Sequence, residues 1–123
     1  MLKKLTFLFL FTVCLNSFSQ TIKSVQLRPK QENNFSSIVP LGTVLELSFD
    51  DLDADSKDYQ YKIEHMTHDW HRSRLLSSQF IDGFDQSTIL EVTNSFNTFQ
   101  NYTHYKVEIP NINTVITKSG NYL

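Results

Sequence analysis

Three histidines in one short stretch, His65, His68 and His71, with Asp69 among them, are of the residue types that bind zinc. At this spacing they would form one loose stripe on a helix. The stretch instead follows an alternating, strand-like run and contains Trp70, and on an extended chain the same spacing sends consecutive histidines to opposite faces. A solvated loop after a strand is the expectation, with no metal site; a metal-dependent hydrolase would need the three to converge. The second set is Asp51-x-Asp53-x-Asp55, whose alternating carboxylates are similar to the start of a calcium loop. Such a loop needs Gly at its sixth position and Glu at its twelfth, and here Ser56 and Lys62 occupy them. That excludes an EF-hand and leaves a looser calcium site between sandwich strands, to be weighed against a polar hairpin loop that is merely solvated.

Motifs for catalysis are absent. There is no G-x-S-x-G elbow, no phosphate-binding glycine loop and no H-E-x-x-H; Glu64-His65 is followed four residues on by Asp69, and the chain has 3 glycines in all. Acidic residues are plentiful enough for a carboxylate pair, yet no set supplies a nucleophile, a base and an orienting group together. The expectation is a protein that is not an enzyme, with no catalytic residue and no cofactor.

The elements that position these residues are strands. Leu45, Leu47 and Phe49 alternate with Glu46 and Ser48; Tyr59, Tyr61 and Ile63 with Gln60, Lys62 and Glu64; Tyr105, Val107 and Ile109 with Lys106 and Glu108; Leu90 and Val92 flank Glu91. Ile22 to Leu27 adds a shorter strand, and Arg74 to Ile81 a weaker one. Pro40-Leu41-Gly42, the acidic stretch Asp50 to Asp58, Asp82-Gly83 and Pro110-Asn111 supply turns between them. Short strands at this spacing predict an all-β fold, an immunoglobulin/fibronectin-III-like antiparallel β-sandwich.

Aromatic positions refine that prediction. Trp70 lies just after a strand, in the region where such sandwiches often carry a large core aromatic. Tyr105 has the spacing of a tyrosine at the corner between two sheets, and Tyr122 in Ser119-Gly120-Asn121-Tyr122 is a rival for that role. If Tyr122 is the corner residue, Tyr105 belongs to the preceding strand and more of the C-terminal sheet is missing. Either way the chain is expected to stop inside a strand, truncated, with an unpaired final edge. Phe84, beside Asp82-Gly83, and Phe96, in the Asn-rich segment 94–101, are candidate partner anchors, because an aromatic in a desolvated pocket often dominates binding. Sandwich cores draw heavily on aromatics, so the favoured expectation places both in the core beside tight turns.

The first residues belong to no fold. Lys3 and Lys4, the apolar run Leu5 to Leu15 and the small residues Ser17 and Ser19 form a signal peptide over residues 1–19. The apolar run is about half of the ~20 residues a membrane-spanning helix needs. Cys14 follows Val13, where a lipoprotein wants a small residue, and so belongs to the discarded leader. Cleavage removes two of the 11 basic residues and leaves nine against 13 acidic, taking the formal charge from −2 to −4. Nucleic acid is a poor partner for such a surface. The mature chain, 20–123, has no cysteine and relies on its core without disulfides in an oxidising compartment.

Several segments together resemble the opening of a known family. They are Ile22-Lys23-Ser24-Val25-Gln26-Leu27-Arg28-Pro29, Val39 to Leu52, Tyr59-x-Tyr61-Lys62-Ile63-Glu64-His65 with Asp69-Trp70, and Asp82-Gly83-Phe84-Asp85, followed by Asn94 to Thr98, Tyr102 to Tyr105, Ile109-Pro110-Asn111 and Ser119 to Leu123. In this order they are similar to the N-terminal domain of the type IX secretion system plug proteins, over essentially the whole mature chain. The resemblance implies a non-catalytic periplasmic protein of Bacteroidetes-type bacteria, peripheral to the inner face of the outer membrane. There it closes the translocon β-barrel, its partner, with no small-molecule substrate. It also implies further domains beyond residue 123. The alternative is an exported carbohydrate-binding or adhesive sandwich module. A glycan site wants exposed aromatics on a sheet face, and the outward positions Glu46, Ser48, Gln60, Lys62, Lys106 and Glu108 count against it.

Overall fold

The computed structural model describes residues 21–31, 36 and 38–123, so the leader lies outside the described residues. Its strands are β1 (Ile22–Pro29), β2 (Leu45–Asp51), β3 (Gln60–Lys62), β4 (His65–Met66), β5 (Ile81–Gly83), β6 (Gln86–Thr88), β7 (Glu91–Asn94), β8 (Thr103–Ile109), β9 (Thr114–Ile116) and β10 (Asn121–Tyr122). All pair antiparallel. Among the described residues no helix is long and apolar enough to cross a membrane.

The two longest-range alternating runs build the centre. β2 and β8 stay in register from Leu45 opposite Ile109 to Asp51 opposite Thr103. A side-chain period of two then sends Leu47, Phe49, Tyr105 and Val107 to one face and Glu46, Asp50, His104, Lys106 and Glu108 to the other. β1 and β7 flank this pair in the order β1-β2-β8-β7, the A-B-E-D order of an immunoglobulin-type sheet. On the outward face charges neutralise one another across strands. Arg28 bonds Glu46 at 3.1 Å, Lys30 bonds Glu108 at 2.7 Å, Lys106 bonds Glu91 at 2.9 Å, and His104 meets Asp50 at 2.6 Å.

The second layer is made of short pairs: β3 with β6, β4 with β10, β5 with β9. The run from Tyr59 to His65, expected as one strand, is divided because it changes partner midway. Ile63 N–H donates to Asp85 O at 2.7 Å beside β6, whereas Glu64 N–H donates to Leu123 O at 2.8 Å beside β10. Tyr61, Ile63, Phe80, Ile81 and Ile89 from this layer meet Phe49, Tyr105 and Val107 in one buried cluster. At its centre Phe49 stacks on Tyr105 with centroids 5.2 Å apart, and Tyr59 stands edge-on to both at 5.1 and 4.8 Å. Such pairs add about 0.5–1.5 kcal/mol each beyond the apolar area they bury.

Three sequence expectations need correction. The stretch from Arg74 to Ile81 is mostly not a strand: Ser77–Gln79 forms a single 3-10 turn, and Gln79 Oε1 accepts the Leu76 N–H at 2.9 Å. Polar side chains bonding to nearby backbone outcompete a ladder there. Leu90 and Val92 are not half-buried, since β7 is an exposed edge strand and Leu90 is 81% exposed. Trp70 is no core aromatic. It is 58% exposed at φ 61°, on a turn closed by Thr67 N–H to His71 O at 2.8 Å and Trp70 N–H to Thr67 O at 3.1 Å. The Met66–Arg72 bridge pinches that turn off from the sheet, and Tyr61, Ile63 and Phe80 fill the core instead.

The two tyrosines take different places. Tyr105 is fully buried in β8, and its hydroxyl accepts the Lys57 N–H at 2.7 Å. Tyr122 lies in β10 and its hydroxyl donates to the Lys118 carbonyl four residues upstream, the corner geometry.

Candidate functional site

The acidic loop after β2 is the grouping with metal-ligand spacing among the described residues: carboxylate oxygens of Asp51, Asp53 and Asp55 lie within 4.8 Å of one another. A cation already sits among them. Lys57 Nζ is 2.8 Å from Asp51 Oδ2, 3.2 Å from Asp55 Oδ1 and bonded also to Asp53. These bonds, to Asp51 first and then Asp53, raise the Lys57 ammonium far above the ordinary lysine value. Burial pushes the Asp51 carboxyl up, but the bonds from Lys57, the Asp53 N–H and the Tyr59 hydroxyl outweigh it and hold the group below its usual range. Burial and the bond to Asp51 raise the Tyr59 hydroxyl in turn. A divalent ion would have to displace a built-in ammonium, so the loop acts as a lysine-bridged brace under the β2–β3 connection, its three carboxylates partly offset by one ammonium.

The histidines do not converge. His65 packs between Phe80 and Tyr122 at centroid distances of 5.5 and 5.2 Å, with Nδ1 buried and without a hydrogen-bond partner. His71 Nδ1 faces Asp69 Oδ2 at 3.0 Å, and His68 points into solvent. A shallow open groove of about 290 Å³ runs past Tyr61, Leu90, Lys106, Asn111 and Ile112. Its polar groups serve the fold: Tyr61 Oη shares a hydrogen bond with Thr114 Oγ1 at 2.8 Å and accepts from Asn111 Nδ2 at 3.1 Å. No described residue joins a nucleophile to a base with a third group orienting it.

What the fold does display is aromatic surface. Phe84 is 67% exposed and Phe96 93% exposed, so neither is a core residue, contrary to the favoured expectation. The reason lies in the β7–β8 hairpin. Ser95 N–H bonds Tyr102 O and Tyr102 N–H bonds Ser95 Oγ, each at 2.9 Å, closing a tip in which Asn97 takes φ 55°. The six residues beyond that closure reach past the sandwich core, carrying Phe96 and also Phe99, which is fully exposed. Phe99 was missed by sequence reasoning, which singled out Phe96 alone in this segment. The only signal was the flanking run of asparagines, which marks a turn whose side chains the sheets cannot cover. Phe84 stands beside Gly83, whose φ of +100° and close approach to Asn113 turn the chain outward. A rigid fold that presents large aromatics on braced turns is suited to contacting another macromolecule.

The family model described as the type 9 secretion system plug protein 1st domain matches residues 22–123. The chain belongs to the type IX secretion system plug family. A solved structure of a hypothetical protein from Parabacteroides merdae matches this plug domain with a TM-score of 0.78 and 31% identity, over 85% of this chain and 27% of that one. The plug domain described here thus spans about a quarter of that relative's length. A search of curated proteins finds no match. All of the elements that carry the sandwich, from β1 to β10, fall within the matched residues.

Proposed function

We propose that this domain is the first unit of a longer, exported plug protein that closes the outer-membrane translocon channel of the type IX system from the periplasmic side, without catalysis. The family match over residues 22–123 carries the reading. The geometry supports it in two ways. Candidate chemical groups are used up inside the fold: Lys57 among the three aspartates, His65 in the core rings, Tyr61 with Thr114 and Asn111. The outward face of the larger sheet is polar and balanced in charge, whereas exposed aromatics sit on the tight turns at Trp70, Phe84 and Phe96. Blocking an aqueous pore needs a stiff body with a complementary surface, and no reaction.

The partner under this reading is the translocon β-barrel, the location is the inner face of the outer membrane, and the protein is peripheral to the bilayer. The signal peptide expected over residues 1–19 supplies export. To test it, the mature full-length protein is tagged in its native type of host and recovered from solubilised outer membranes. Co-recovery of the barrel, lost in a strain lacking it, is expected; recovery of glycans or surface adhesins without the barrel would instead support a binding module.

A further inference from the structure

We propose that the open side of β10 is the acceptor edge for one more antiparallel strand, supplied in cis by residues that follow Leu123 in the longer protein. The proposal rests on the reading of this domain as the first unit of a longer chain. Sheet topology points to it. The larger sheet has the A-B-E-D order, the Gln60–Met66 path holds the C position between β6 and β10, and β10 with its corner tyrosine holds the F position. In that architecture a G strand lies on the far side of F. Among the described residues nothing pairs there.

Hydrogen-bond alternation says which groups await it. Leu123 and Glu64 exchange both backbone bonds, Leu123 N–H to Glu64 O at 3.0 Å and Glu64 N–H to Leu123 O at 2.8 Å. The neighbouring pair, Tyr122 with His65, is therefore of the non-hydrogen-bonded kind, and the N–H and C=O of Tyr122 point away from β4. The edge is also held rigid. The Tyr122 ring packs on His65 and Phe80, its hydroxyl is tied to Lys118, and a Cβ on Gly120 would stand 2.5 Å from the His65 ring, so any side chain there would have to push that ring aside. A strand in cis is favoured over one from another molecule because a hairpin from β10 is the shortest connection. The solved relative also has the chain to supply it, since this domain accounts for 27% of its length.

Amide exchange in the mature full-length protein tests this, with the Leu123 N–H, bonded to Glu64, as the internal reference. The expected result is a Tyr122 N–H protected to within about tenfold of Leu123, with a through-hydrogen-bond coupling to a carbonyl beyond residue 123. A Tyr122 amide exchanging more than about 100-fold faster than Leu123 overturns the proposal and leaves the longer-chain reading intact. Protection that disappears when a second protein is removed, or a coupling to a carbonyl of another molecule, overturns the strand in cis. A reading frame that stops at Leu123 overturns the longer-chain reading and the proposal together.

Discussion

The backbone N–H of Lys57 donates to the buried hydroxyl of Tyr105 at 2.7 Å, across 48 residues of sequence. The same hydroxyl donates to the Asp55 carbonyl at 3.3 Å, so two bonds tie the acidic loop to the centre of the core, where Tyr105 stacks on Phe49.

Tyr105→Phe keeps the ring stack and removes the acceptor, leaving the Lys57 N–H unpaired beside the core. A loss of about 1–3 kcal/mol is expected for an unsatisfied group of this kind. Chemical denaturation of the mature protein, followed by a probe within this domain, reads it. An unchanged midpoint would mean that water satisfies the Lys57 amide.

Lys57→Gln should open the carboxylate cluster. The variant is expected to be less stable than the parent without calcium and to recover with millimolar calcium, while the parent's midpoint stays put. Calcium stabilising the parent equally would show that the ammonium does not occupy the site. The pH response has a defined sign. Because the folded Asp51 carboxyl lies below its ordinary 3.8, its contribution is fully present above that value and is lost as pH falls below it. Acid titration of stability should therefore be shallower in Lys57→Gln than in the parent.

Gly83→Ala places a Cβ 2.2 Å from the Asn113 carbonyl oxygen at a φ of +100°. The left-handed backbone alone costs about 1–3 kcal/mol, and the contact with backbone cannot be relieved by a side-chain rotation. Thermal unfolding should show a clear drop, and an unshifted midpoint would mean that the β5–β9 pairing is looser than described.

Phe96→Ala and Phe99→Ala remove exposed rings, so stability should move by no more than about 0.5 kcal/mol. Capture of the translocon barrel by the doubly substituted full-length protein should fall by about tenfold or more if the hairpin tip is an anchor. Unchanged capture would move the contact to Phe84, Trp70 or another domain.

The sequence made some of this legible and hid the rest for physical reasons. Strict alternation through Leu45–Phe49 and Tyr105–Ile109 marked β2 and β8, because one face of each is buried and the other carries charge. β6 and β9 were not marked: three residues such as Gln86-Ser87-Thr88 are too few to show a period. Trp70, Phe84 and Phe96 read as core because aromatics usually are; only the hydrogen bonds closing their turns decide that they face outward. Lys57 was invisible as a partner of Asp51, since the sequence shows an acidic run and not which side chain folds back into it. The family resemblance succeeded where single motifs failed because it summed many weak segments in order.

Ion conductance through the purified translocon barrel in planar bilayers, with and without the full-length protein, tests the central claim most directly. A closed channel in the presence of the protein, reopened by its removal, is the result predicted. A channel that conducts equally with the protein bound would contradict a plugging role and leave only attachment to the secretion machinery.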